Sequence, residues 1–139
     1  MDKKRYAGVV VKCKNKVLLC KRNNQGTLPG MWSIPCGKLE DGESIEEGAK
    51  REFLEETHID ISKADLRFSG MIPRQSRDGK KIKGIMYVYV LDVDEEITPD
   101  LENAIDGDEH TESGYFAFNE IDISKTGEYL YRLIEIVLN

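Results

Sequence analysis

Apolar residues along this chain fall into two kinds of run, and their spacing predicts most of its elements. Residues 6–13 (YAGVVVKC) and 17–21 (VLLCK) are valine- and leucine-rich stretches separated by the polar triplet Lys14-Asn15-Lys16. That pattern predicts two strands joined as a hairpin. Residues 22–32 hold two glycines and a proline and read as a loop, with a short extended piece at 33–35. The period then changes. Ile45, Gly48, Ala49, Glu52, Phe53 and Glu56 share one face at ~100° per residue, which predicts a helix. Ser44 with Glu47 three positions on forms a capping box, so the helix should begin at about Ile45.

Beyond a polar stretch at 60–64, residues 66–72 (LRFSGMI) alternate as a strand, and the basic segment 73–81 (PRQSRDGKK) reads as a turn or loop. Residues 82–93 form a long strand, with Ile85, Tyr87, Tyr89 and Leu91 on one face and Met86, Val88, Val90 and Asp92 on the other. Apolar residues on both faces predict a central position in a sheet. An acidic loop is expected over 94–111, a short strand over 115–118 (YFAF) and a turn over 119–123. A last helix is expected over 124–138, where Leu130, Leu133, Ile134 and Val137 have helical spacing and Gly127 weakens the first turn. There are no internal repeats, low-complexity tracts or linkers. Strands, loop and helix, strands, helix is an α/β order with mixed strand pairing rather than a regular βαβ series.

The helix after Ser44 carries the chemistry. Its inward face should be apolar, because burying unpaired carboxylates is costly. Glu52 and Glu56 interrupt that face, and Gly48 and Ala49 stay small beside them. Glu55 and Arg51 lie on its edge one helical step apart, positioned for an ion pair. A hard divalent cation bound by carboxylate oxygens is the simplest compensation for such buried charge. The competing reading, a solvated Glu-rich face, fits less well because these glutamates fall on the apolar side.

These residues also carry a family resemblance. Residues 36–59 (CGKLEDGESIEEGAKREFLEETHI) resemble the Nudix box, G-x(5)-E-x(7)-R-E-U-x-E-E-x-G-U, where U is a bulky aliphatic or similar residue. Gly37, Glu43, Arg51, Glu52, Phe53, Glu55, Glu56 and Ile59 each occupy their pattern position. His58 stands where the pattern has its last glycine; histidine tolerates a left-handed helix end better than most residues. Cys36 stands where common members have a second glycine.

The resemblance implies a Nudix fold, an α/β/α sandwich around a mixed sheet with a catalytic loop–helix. It also implies metal-dependent hydrolysis of a diphosphate linkage in a nucleoside diphosphate derivative. By that resemblance Glu55 and Glu56 are metal ligands, Glu52 is a ligand or general base, and Arg51 holds a glutamate in place. Gly37 shapes the loop, and the carbonyl of Cys36 is a further ligand. The expected cofactor is Mg2+, and Mn2+ suits the same oxygen donors. Lys38 and Arg22 are candidates to face substrate phosphates; as a surface lysine and a strand-end charge they have equally ordinary explanations. Family members often add an acidic residue from a distal loop, for which Glu109 and Glu112 are the candidates.

Composition bounds the remainder. At 139 residues a single domain is expected, and 33% charged with 40% hydrophobic residues is ordinary for a soluble protein. A net charge of −6 argues against general nucleic-acid or anionic-membrane binding. Cys13, Cys20 and Cys36 are too few and scattered for a disulfide framework or zinc site, and read as reduced thiols. With no membrane-length apolar run and no signal-peptide core, the expected compartment is the cytoplasm. The expected partner is a small-molecule nucleotide: a nucleoside triphosphate, ADP-ribose, a nucleotide sugar or a dinucleoside polyphosphate. The protein is expected as a monomer or homodimer. Two other readings stand beside hydrolysis. A non-catalytic Nudix-like nucleotide-binding or sensor domain would commonly lack box glutamates, all of which are present here. An isomerase on the same fold would need an acid–base cysteine, whereas Cys36 reads as a small loop residue.

Overall fold

A computed structural model of the protein describes residues 4–23, 30–76, 78–103 and 110–139. Among these residues seven strands form one mixed sheet: β1 (Lys4–Cys13), β2 (Lys16–Arg22), β3 (Trp32–Ser33), β4 (Cys36–Lys38), β5 (Arg67–Gln75), β6 (Ile82–Val93) and β7 (His110–Ala117). The main path runs β3-β2-β1-β6-β5, with β4 paired to β1 and β7 to β2. β1 and β6 run parallel in unbroken register from Lys4↔Gly84 to Cys13↔Val93, and the other pairs are antiparallel.

β1 is apolar on both faces because both are covered. Ala7, Val9 and Val11 meet Ala49 and Phe53 of α1 (Ile45–Thr57), whereas Tyr6 and Val10 join Leu130, Leu133, Ile134 and Val137 of α3 (Glu128–Leu138). The sheet is thus sandwiched between α1 and α3. Phe53 is fully buried, a contribution of about 2–3 kcal/mol from its ring alone. α1 begins where its capping box predicts: Glu47 N–H donates to Ser44 Oγ at 3.2 Å and Ser44 N–H to Glu47 Oε1 at 3.1 Å. It ends at His58 in the left-handed conformation (φ 63°), whose N–H donates to the Leu54 carbonyl at 2.9 Å.

Several expectations are corrected. β5 continues through Pro73 to Gln75, because it is the sheet's outer strand, where a proline lacking an N–H is tolerated. β7 begins at His110, inside the stretch read as loop, and ends before Phe118, which starts a 3-10 turn. Cys36–Lys38, read as belonging to a glycine loop, is the strand β4. β6 is central, but its second face is only partly covered: Leu91 is buried against α1 while Ile85 is exposed. Gly127 (φ 91°) does more than weaken the last helix: it divides it into α2 (Ile123–Thr126) and α3.

Candidate active site

The site is assembled along one edge of β4. The register Gly8↔Cys36, Ala7↔Gly37 and Tyr6↔Lys38 is flanked by two hydrogen bonds. Val9 N–H donates to the Pro35 carbonyl at 3.1 Å and Leu39 N–H to the Arg5 carbonyl at 2.9 Å. Antiparallel alternation therefore turns the main-chain groups of Cys36 and Lys38 away from β1. On this edge Cys36 N–H donates to Glu56 Oε1 at 3.4 Å, and the Lys38 carbonyl accepts from Arg51 Nη2 at 3.0 Å. The Cys36 carbonyl shares the edge. Its thiol belongs to the core beyond the sheet, where a Cβ on Gly8 would crowd Cys36 Cβ at 2.8 Å. Cys36 thus offers the site main-chain atoms and no acid–base thiol. The neighbouring Cys20 thiol is pushed up to about 12 by burial and then by the charge of Glu56, which leaves it inert.

Gly37 is required by close approach. A Cβ there would overlap the Glu52 carboxyl, so the helix carboxylate lies directly on the strand backbone. Gly48 makes the same allowance a turn earlier on the helix, beneath Leu39 and Glu43.

Arg51 ties loop to helix and uses all five of its N–H donors. Nε and Nη2 hold Glu43 at 3.0 and 2.7 Å, Nη1 reaches Glu52 at 2.9 Å and Glu55 at 3.0 Å, and Nη2 also takes the Lys38 carbonyl. Arg51 makes the ion pair with Glu55 that its spacing suggested, and Glu43 is the partner that sequence reasoning left without a role. Its carboxyl is held below the usual carboxylate range chiefly by the Arg51 hydrogen bond.

Glu52 and Glu56 are different. Both are buried, at 8% and 3% exposure, and their carboxyls lie within hydrogen-bonding reach of each other. Burial pushes Glu52 above the carboxylate range, although the hydrogen bond from Arg51 and hydrogen bonding with the Glu56 carboxyl oppose the shift. On the far side of Glu56 stands His110, with Nδ1 3.5 Å from Glu56 Oε1. Its imidazole is pushed down to about 3, mainly by burial and then by the charge of Arg22, so the ring is neutral near pH 7 and supplies no counter-charge. Among the described residues neither ring nitrogen makes a hydrogen bond. No local signal marked His110; only pairing across the sheet, where it opposes Arg22 next to a β-bulge, brings it here.

The other sequence candidates are placed as follows. Arg22 ends β2 and is buried at 3% exposure rather than being a surface charge. The Lys38 side chain is exposed. Glu55 is turned to Arg51. Glu112 lies opposite Lys21 and pairs with it in an exposed ion pair at 3.4 Å; strand alternation puts it on the other sheet face from Arg22, away from Glu56. Glu109 lies outside the described residues.

As the side chains stand, no three His, Cys, Asp or Glu among the described residues converge on one metal position. Glu55 is engaged by Arg51. The donor set nevertheless fits a hard divalent cation. Two adjoining buried carboxyls and a main-chain carbonyl turned out of its ladder are oxygen donors, and Mg2+ characteristically takes one or two carboxylates and completes its shell with water and phosphate.

Comparison with known proteins accords with this geometry. A sequence model of the NUDIX domain matches residues 2–135. The chain belongs to the Nudix family. An 8-oxo-dGTP diphosphatase from Proteus vulgaris is 39% identical over 69 residues, covering 48% of this chain and 62% of that protein. A nucleoside triphosphatase, NudI, from Salmonella typhimurium is 39% identical over 67 residues, covering 48% and 44%. The matches thus span about half of this chain and between two-fifths and two-thirds of the relatives' lengths. The crystal structure of a MutT NUDIX hydrolase from Burkholderia pseudomallei superposes over 97% of this chain and 98% of its own. Its TM-score is 0.77 at 20% identity, a likeness of fold. The Nudix α/β sandwich is therefore the architecture of this chain. No helix among the described residues is long and apolar enough to cross a membrane.

Proposed function

We propose that this Nudix protein hydrolyses a diphosphate linkage in a nucleoside diphosphate derivative, with water attacking phosphorus. The observation that carries the reading is the adjoining pair of buried carboxyls, Glu52 and Glu56, set against a strand edge with Glu52 pushed toward its protonated form. A divalent cation, Mg2+ with Mn2+ as a substitute, would be held by Glu52, Glu56 and the Cys36 carbonyl, with Glu55 joining once released by Arg51. When bound, such an ion neutralises polyphosphate charge and lowers the pKa of the attacking water.

The chain's own residues do the rest. Arg51 holds Glu52 and Glu55 against the β4 edge. Gly37 leaves room for the Glu52 carboxyl, whose raised affinity for protons suits it to accept one from water as the P–O bond forms. His110, neutral and against Glu56, limits how that carboxyl turns. Arg22, whose charge acts on His110, is the candidate to meet substrate phosphate. The names of the Proteus and Salmonella relatives, a diphosphatase and a triphosphatase of nucleotides, favour a nucleoside triphosphate over nucleotide conjugates.

The test is a nucleotide panel with Mg2+. Triphosphates are followed by phosphate release with added inorganic pyrophosphatase. ADP-ribose, nucleotide sugars and dinucleoside polyphosphates, which resist phosphatase until cleaved, are followed with added alkaline phosphatase. Signal with triphosphates that depends on pyrophosphatase is the expected result. Signal in the second arm alone would make the protein a hydrolase of conjugates. Silence in both, with Mn2+ also tried, would overturn hydrolysis in favour of a nucleotide-binding domain.

A further inference from the structure

A second charged locus lies on the α3 side of the sheet. Arg74, on β5, is only 8% exposed, and its Nε is buried without a hydrogen-bond partner. Among the described residues Arg74 makes no ion pair; its one contact of note is with the Tyr6 ring, 5.4 Å from the centroid. Lys83 Nζ lies 5.8 Å from the same ring. Gly84, opposite Arg74 in the ladder, makes the arrangement possible, since a Cβ there would overlap the Lys4 carbonyl and crowd Tyr6.

Positive charge accumulates here in a chain whose net charge is −6. The Lys83 ammonium, at an exposed position, is held below its usual range by partial desolvation and then by the charges of Arg74, Lys4 and Arg22. Stacking on one tyrosine attracts a cation but does not neutralise it. A buried guanidinium among like charges is a costly arrangement unless an anion completes it.

Arg74 lines a narrow cleft with Ser33, Gln75, Thr126 and Gly127, and no carboxylate among the described residues lines it. Its interior is about 40 Å³, room for a few waters or one compact group but not for a purine ring. The cleft also abuts the start of α3, an eleven-residue helix whose N-cap, Gly127, supplies no side-chain hydrogen bond. Its first amides are thus open to an acceptor at the positive end of the helix.

We propose that this cleft binds a compact tetrahedral oxyanion, a phosphoryl group, between Arg74 and the uncapped start of α3, with Lys83 near Arg74 on the shared Tyr6 ring. Two sources share that chemistry: a phosphoryl group carried by the nucleotide substrate, which rests on the hydrolytic reading above, and free inorganic phosphate, which does not.

The test titrates inorganic phosphate into the full chain by calorimetry in phosphate-free buffer with chelator, and follows the melting midpoint in parallel. The expected result is saturable binding that raises the midpoint, unchanged in Glu52→Gln. Arg74→Met should weaken it about tenfold or more, as loss of a charge-assisted hydrogen bond does. Lys83→Met, at an exposed position, should weaken it by a smaller factor without touching the fold. Without phosphate, Arg74→Met should melt at or above the wild-type midpoint, because it removes an unpaired charge. No saturable binding by wild type, or binding unchanged in both variants, would overturn the proposal. The source is then read from turnover. Competitive inhibition by phosphate, with Arg74→Met raising KM and sparing kcat, assigns the cleft to substrate; phosphate binding without effect on KM assigns it to the free anion. The titration needs no turnover, so it stands apart from any failure of the hydrolytic reading.

Discussion

Two clusters of charge lie within one turn of each other on α1, and they are built on opposite terms. In the first, Arg51 commits every donor it has: two to Glu43, one each to Glu52, Glu55 and the Lys38 carbonyl. In the second, Glu52 and Glu56 are buried against each other beside a neutral histidine. Glu43 is driven toward the ionised form and Glu52 away from it. Matched charge of the first kind holds a loop to a helix. Crowded, buried carboxyls of the second kind are the oxygen donors that a cation would take under the function proposed. Glu52 belongs to both, so the clamp also aims the carboxylates.

Breaking the clamp should have the largest effect on stability. Arg51→Met strands three carboxylates and a carbonyl, and should cost about 2–4 kcal/mol in denaturant unfolding. A loss under about 1 kcal/mol, with turnover intact, would mean that the clamp holds nothing. Gly37→Ala tests the corner from the strand side. Its Cβ would overlap the Glu52 carboxyl, so it should cost about 1–3 kcal/mol or displace that carboxyl and lower kcat. A variant as stable and as active as wild type would show that Glu52 does not sit against β4.

The smallest effect is in the pH dependence of stability, where the two clusters should have opposite signs. Glu43 has a folded pKa below its unfolded value. Its contribution is present above the ordinary Glu range and lost as pH falls through the folded value. Glu52 has a folded pKa above its unfolded value, so its contribution is present at low pH and lost as pH rises through the folded value. In chelator, Glu43→Gln should therefore flatten the acid limb of midpoint against pH, and Glu52→Gln the fall just above it. The same change of slope in both variants would erase the distinction.

The helix and the Arg51–Glu55 pair of the clamp were legible in the sequence because their determinants are local, whereas the Glu43 anchor was not. The capping box fixed the start of α1, His58 served as its left-handed end, and the spacing of Arg51, Glu52, Glu55 and Glu56 put them on one side. What was not legible depends on neighbours far along the chain. Pro73 reads as a breaker until β5 is known to be the outer strand. His110 reads as one residue of an acidic loop until β7 pairs it with Arg22. Glu112 looked as good a candidate as Glu109, and only register places it on the opposite face from Arg22. Arg74 read as one residue of a basic turn or loop; only its place on β5, opposite Gly84 in the ladder, shows that it is buried.

Hydrolysis as proposed requires the Glu52–Glu56 corner to hold the cation. The most direct test is Mn2+ binding by electron paramagnetic resonance, measured beside turnover, in wild type and Glu56→Gln, with circular dichroism to confirm the fold. Wild type should bind Mn2+ and turn over a nucleotide. Glu56→Gln should bind Mn2+ more weakly and lose about 10²–10⁴-fold in kcat while remaining folded. Undiminished Mn2+ binding and turnover in Glu56→Gln would contradict that requirement, and would move the metal away from this corner.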